Sequence, residues 1–167
     1  MNTVLIGMPG CGKSTIGVLL AKSLLCDFVD TDLIIQNTYH KSLCQIIADD
    51  GLQGFKDKEN EILKNLECDN SVIATGGSAV YCDEGMANLR KNSKVIYLKL
   101  TPETIKKRIN NISTRGIAME DGCTIEKLYL ERAPLYEKYA DATLLCEELS
   151  AEDCVTKIIE IKKMYNG

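Results

Sequence analysis

Near the start of the chain, Gly7-Met8-Pro9-Gly10-Cys11-Gly12-Lys13-Ser14 has the spacing GxxxxGK[ST], placed between the apolar run 3–6 and a helical pattern over 15–25. Glycines at these positions let the peptide N–H groups of Gly10, Cys11, Gly12, Lys13, Ser14 and Thr15 curl around a phosphate, and the start of the helix adds partial positive charge. Lys13 would neutralise the β and γ oxygens of a nucleoside triphosphate, and the Ser14 hydroxyl would face Mg²⁺. A triphosphate cradle serves switches, motors and small-molecule kinases alike, so the reaction has to be argued from the rest of the site. The second chemical stretch is Phe28-Val29-Asp30-Thr31-Asp32. Its two carboxylates, at i and i+2, would point the same way if the strand continued. One could hold metal and the other a hydroxyl, the parts expected for phosphoryl transfer. The plainer reading is that Asp-Thr-Asp caps the next helix.

The elements that must hold these groups alternate five times. Apolar, often β-branched runs at 3–6, 28–30, 72–75, 94–99 and 142–146 read as strands, each leading to a helical pattern. Helix starts are legible at Ser42 with Gln45, at Thr101-Pro102 and at Ser150 with Asp153. Strands separated by helices pair in parallel through right-handed crossovers. The expectation is an α/β fold, three layers α/β/α of the P-loop NTPase type around a five-stranded parallel sheet, with ligands at the carboxyl ends of the strands. No repeat or linker interrupts the 167 residues, so a single domain over 1–167 is expected. The stretch 110–123, NNISTRGIAMEDGC, is the longest polar, irregular one and is a lid candidate.

Composition narrows the partners. Lys plus Arg number 20 against 24 Asp plus Glu, and without a block of like charge nucleic acid is not an expected partner. No apolar run is long enough to span a membrane, and MNTVLIGMPG lacks the pattern of a secretory signal, so a cytoplasmic protein is expected. The eight cysteines include no CxxC pair and read as small reduced hydrophobes. His40, in a polar turn, reads as a surface residue.

Taken together, the P-loop, FVDTD, GFKDKE, IATGGSAV and ERAPLYEKYAD stand in the order and at the spacing of shikimate kinases, which the chain resembles over essentially its whole length. The resemblance implies ATP-dependent phosphorylation of shikimate to shikimate 3-phosphate, a step toward chorismate and the aromatic amino acids, with Mg²⁺ as cofactor and a monomer expected. It implies that Lys13, Asp32 and Arg115 are catalytic: Asp32 holds the acceptor hydroxyl and Arg115 closes over the transferring phosphate. By the same resemblance Asp30, with Ser14, holds Mg²⁺ through water, and Arg108 lies near the adenine. Arg132 reaches the acceptor carboxylate. The acceptor would meet Asp32, Lys56, Gly76, Gly77, Ser78 and Arg132, in a region completed by 33–66. The plainer reading of ERAPLY is a surface helix that ends at Pro134.

Four positions depart from the family's pattern. Where it reads G-E-x-x-F-R, this chain has Gly51-Leu52-Gln53-Gly54-Phe55-Lys56, and Lys offers a point charge in place of a bidentate fork. Ser78 replaces a third glycine and puts a hydroxymethyl where backbone would approach the ligand. Gly116 replaces a proline after Arg115, which predicts a looser lid. Lys56, Lys58, Glu59 and Glu61 also read as one solvated helical face. Two other functions stay open at this point: a kinase for another small hydroxylated acid, and a nucleotide-binding regulatory module without turnover. A guanine switch is disfavoured, because no [NT]KxD follows the later strands.

Overall fold

A computed structural model of the chain describes residues 1–109, 116–120 and 122–166. The five expected strands form, each within a residue or two of its predicted bounds: β1 (Asn2–Ile6), β2 (Asp27–Asp30), β3 (Ser71–Ala74), β4 (Ser93–Lys99) and β5 (Ala142–Leu145). They pair in parallel in the order β2-β3-β1-β4-β5. The two strands beside β1 are β3 and β4, so β1 is the central strand and is paired along both edges. Every one of its residues is buried, as the unbroken apolar run demands of a parallel sheet.

Seven helices connect and cover the strands among the described residues: α1 (Lys13–Leu24), α2 (Thr31–Tyr39), α3 (Leu43–Lys64), α4 (Asp83–Arg90), α5 (Pro102–Arg108), α6 (Ile125–Tyr139) and α7 (Ala151–Asn166). Helix α1 packs on α7, β2 and β3, while α3 packs on α4 and on the short 3₁₀ turn Ala79–Tyr81 that α6 also touches. The result is the three-layer α/β/α arrangement expected. Its main core gathers β1, β3 and β4 with Leu20, Met86, Leu128 and Tyr136.

Capping matches the residue types. Ser42 and Gln45 make a reciprocal capping box at α3, and Thr101 accepts from Thr104 N ahead of Pro102 at α5. Ser150 and Asp153 bond reciprocally ahead of α7. Two expectations need correction. Strand β2 stops at Asp30, so Asp30 and Asp32 do not share a strand face: Asp30 is the N-cap of α2, accepting from Asp32 N and Leu33 N, and Asp32 lies in the first turn. The stretch ERAPLY does not end at Pro134; α6 continues through it to Tyr139, and Arg132 is buried. Pro134 lacks the N–H that would meet the Leu130 carbonyl, and Leu130 stands exposed, so water can take that bond.

A second, smaller core forms where α2, α3 and the 116–120 segment meet: Ile35, Leu43, Ile46, Phe55 and Ala118, with Leu52 packed against it. Leu52, where the family's pattern has glutamate, serves this apolar cluster. The long helix α3 is two helices joined at Gly51, whose φ of 72° breaks the regular backbone.

Candidate active site

At the carboxyl ends of the strands lies a cleft of about 630 Å³, lined by both chemical stretches of the sequence. The P-loop contributes Gly10, Gly12, Lys13, Ser14 and Thr15; the end of β2 and start of α2 contribute Asp30 and Asp32; the turn after β3 contributes Gly76, Gly77 and Ser78. Arg108 at the end of α5 and Arg132 on α6 complete it. Thus residues spread over most of the chain meet in one crevice, because parallel strands deliver all their carboxyl ends to the same edge.

The P-loop has the geometry of an anion cradle. Gly12, the N-cap of α1, has φ of 96° and no side chain to cap the helix, which leaves its first N–H groups for a ligand. Lys13 Nζ donates to the Gly7 and Met8 carbonyls at 2.7 and 2.9 Å, so its charge is held over the loop. Cys11 differs from its neighbours: its side chain is buried, its N–H donates to the Met8 carbonyl, and it does not line the cleft. Ser14 Oγ donates to Asp30 Oδ2 at 2.8 Å, while Asp30 Oδ1 caps α2. Capping and a metal role are therefore compatible in one residue. A hydroxyl and a carboxylate suit Mg²⁺, which takes oxygen ligands and completes its shell with phosphates and water. No cluster of three or more His, Cys, Asp or Glu suited to a metal occurs among the described residues.

The acceptor side is a set of buried charges. Asp32 Oδ1 is buried with no hydrogen-bond partner among the described residues. Burial, reinforced by the Asp30 carboxylate and opposed by Lys13, raises the Asp32 carboxyl from 3.8 to about 6. Glu59 on α3 is fully buried; its Oε2 accepts from Ser78 Oγ at 2.6 Å, and its Oε1 has no partner among the described residues. Burial outweighs the Ser78 hydrogen bond and, with Asp32 nearby, raises Glu59 from 4.5 to about 7. Gly76 sits between the two acids: a Cβ there would stand 2.7 Å from Glu59 Oε1 and 2.8 Å from Asp32 Oδ1. Only glycine leaves both oxygens in place.

Arg132 is, with Lys13, a buried cation of the cleft. Its Nε donates to the Tyr81 hydroxyl at 3.3 Å, Nη2 donates to the Ala118 carbonyl, and Nη1 lies against Gly77. Tyr81 in turn donates to Glu131, and Tyr136 donates to the Gly77 carbonyl at 2.6 Å. Among the described residues Arg132 makes no salt bridge. A buried guanidinium with no directly ion-paired carboxylate among the described residues, and only the Glu59 charge nearby, is suited to an anionic ligand.

Three departures look different in three dimensions. Lys56 does not line the cleft; its Nζ lies 4.1 Å from the centre of the Tyr81 ring. Ser78 turns its hydroxyl to Glu59, so the added group is absorbed by a partner inside the protein. Gly116 packs closely against α3. Its φ is 61°, which proline cannot adopt, and a Cβ there would meet Cys44 N at 2.7 Å, so it is seated tightly on the start of α3. Arg115, expected over the transferring phosphate, lies outside the described residues, as do 110–114 and 121 of the expected lid.

Sequence reasoning missed Glu59 and Tyr81. Glu59 was read with Lys56, Lys58 and Glu61 as a solvated face, yet Phe55, Glu59 and Leu63 recur every four residues and are all buried. That i, i+4, i+8 spacing was the available signal. Tyr81 had none, since its role depends on α6 arriving beside it.

The shikimate kinase family model matches residues 9–163. Among curated relatives, shikimate kinase of Thermodesulfovibrio yellowstonii is 36% identical over 99% of this chain and 98% of its own. That of Symbiobacterium thermophilum is 34% identical over 96% and 95%. Among solved structures, shikimate kinase from Acinetobacter baumannii in complex with shikimate superposes with a TM-score of 0.87 at 27% identity, covering 98% of this chain and 93% of that one. The Aquifex aeolicus shikimate kinase gives 0.82 at 31% identity, covering 96% and 95%. The cleft's parts and these matches agree along the full length, and the chain belongs to the shikimate kinase family.

Proposed function

We infer that the protein transfers the γ-phosphoryl group of ATP to a hydroxyl of shikimate, giving shikimate 3-phosphate on the route to the aromatic amino acids. The observation that carries this reading is the pairing, in one cleft with a P-loop, of a buried Asp32 carboxylate oxygen that has no hydrogen-bond partner among the described residues with a buried guanidinium on Arg132. An acceptor that is both hydroxylated and carboxylated satisfies both at once, and each demand rejects molecules lacking one group, since a buried unpaired partner is expensive.

In this reading the P-loop amides of Gly10 and of Gly12 to Thr15 bind the β- and γ-phosphates, while the Cys11 amide stays on the Met8 carbonyl, and Lys13 moves from the loop carbonyls to their oxygens. Arg108, at the cleft edge, meets the base. Arg132 orients the acceptor by its carboxylate, and Asp32 accepts the hydrogen bond of the attacking hydroxyl and then its proton. A carboxyl raised to about 6 is ionised at neutral pH yet basic enough for that task. Ser14 and Asp30 would hold Mg²⁺, which supplies neutralisation of the charge spreading over the phosphate oxygens. Arg115 adds charge from the lid over 110–123, and 33–66 forms the acceptor region; both are proposals of the same reading. So are a cytoplasmic location and a monomeric state; among the described residues no helix is long and apolar enough to cross a membrane.

The test is release of ADP, with ATP and Mg²⁺, across a panel of small hydroxylated acids. Shikimate is expected to give the highest kcat/KM. ADP release that no acid stimulates would refute the kinase reading, and a markedly better acid would refute the choice of acceptor.

A further inference from the structure

Two of the positions that depart from the family's pattern converge on one buried group. Ser78, in place of glycine, donates to Glu59 Oε2 at 2.6 Å. Lys56, in place of arginine, stands one turn before Glu59 on α3, but its ammonium lies on the Tyr81 ring. Glu59 itself touches no solvent and sits beneath Gly76, where its Oε1, without a hydrogen-bond partner among the described residues, neighbours Asp32 Oδ1. It therefore stands behind the two groups that an acceptor must bridge.

We propose that Ser78 is a positioning residue that acts through Glu59: its hydroxyl supplies the hydrogen bond that a guanidinium at position 56 would otherwise supply, and so keeps the carboxylate seated under Gly76. A lysine in contact with an aromatic face offers Glu59 only distant attraction, whereas arginine carries five N–H donors in a planar fork long enough to serve a ring and a carboxylate together. Losing the forked donor at 56 leaves a buried carboxylate short of a partner, and a hydroxyl on the facing turn makes good the deficit. The groups facing Glu59 are Asp32 from α2, Lys56 from α3, Arg132 from α6 and the Cys82 thiol, and the Ser78 hydrogen bond works with the two cations to favour its charged form. Acceptor binding follows from this exchange, because the Ser78 contact ties Glu59 to the turn that lies between Asp32 and Arg132. The inference deepens the kinase reading and rests on it for its effect on acceptor binding, but the contact itself can be read without turnover.

Ser78→Gly introduces the residue of the family's own pattern, so the fold should tolerate it. Carboxyl ¹³C resonances of labelled glutamate, with Glu59 assigned by Glu59→Gln, would follow its titration. In Ser78→Gly the midpoint is expected to rise by about one pH unit, and adding Lys56→Arg should reverse most of the shift. In turnover, Ser78→Gly should raise the acceptor KM about tenfold while leaving the KM for ATP within about twofold, and the double variant should recover it. An unmoved Glu59 titration in Ser78→Gly would overturn the contact's role. A shifted titration that Lys56→Arg leaves unreversed would overturn the exchange between the two positions. Should the wild-type protein show no kinase activity, the resonance experiment still decides the contact.

Discussion

Glu59 offers a prediction in which stability and function pull apart. The perturbation is Glu59→Gln, which keeps the shape and an acceptor for Ser78 while deleting a charge that is wholly buried. In the unfolded chain the carboxyl titrates near 4.5, and in the fold burial raises it to about 7. At about 1.4 kcal/mol per pH unit, that rise opposes folding by roughly 3 kcal/mol once the group is ionised in both states. The sign follows from proton binding: below the unfolded value both states are protonated and nothing is lost. As pH climbs from about 4.5 to about 7 the folded state holds a proton that the unfolded state has released, so stability falls, and above that window the deficit is constant. Asp32 shares the repulsion, and the new amide must find partners, so the net gain from glutamine near pH 8 is expected at about 1–3 kcal/mol. For a chain of this size that is about 3–10 °C in melting temperature. Melting curves of the two proteins between about pH 4 and pH 8 would show it, with coincident curves at the acid end and a stabler variant at the alkaline end. A variant that melts lower at pH 8, or by the same margin at both ends, would refute the claim that a desolvated charge is held there.

Asp32→Asn removes the proton acceptor and should lower kcat by about 10²- to 10⁴-fold, with no loss of melting temperature because its carboxyl, like that of Glu59, is raised by burial. Single-turnover phosphate transfer would measure it, and a loss below tenfold would remove Asp32 from the proton transfer. Arg132→Met deletes the buried cation and should raise the acceptor KM by about a hundredfold or more while nucleotide affinity, read by fluorescence or calorimetry, stays within about twofold. Equal losses for both ligands would mean that Arg132 supports the fold and not the acceptor. Gly116→Ala forces a Cβ to 2.7 Å from Cys44 N at a φ of 61°, and should lower the melting temperature by the equivalent of about 1 kcal/mol or more. An unchanged melt would show that the 116–120 segment is not seated on α3.

How much of this was legible in one dimension depends on the range of the interaction concerned. The cradle was, because GxxxxGK[ST] is eight consecutive residues whose function lies in their own backbone, and the strands were, because each is a short run bounded by its own turn and cap signals. The pair in FVDTD was half legible: the residue types were right, but the alternation assumed a strand where Asp30 ends one and starts a helix. The acceptor side was the least legible. Lys56 was expected at the ligand and lies on Tyr81; Ser78 was expected to crowd the ligand and bonds Glu59; Gly116 was expected to loosen a loop and is wedged against α3.

The amino-acid sequence by itself determined the parallel α/β order and the nucleotide end of the cleft, since periodicity, caps and a contiguous loop are local properties of the chain; Asp32 and Arg132 were assigned to the acceptor only by the resemblance to shikimate kinases. Only the tertiary structure decided that Glu59 is buried, that its free oxygen adjoins that of Asp32 across Gly76, and that Arg132 has no carboxylate partner among the described residues. Those facts belong to α3, the turn after β3, and α6 together. Desolvation and hydrogen-bond pairing are set by whatever other segments close over a group, and no spacing along one segment records them.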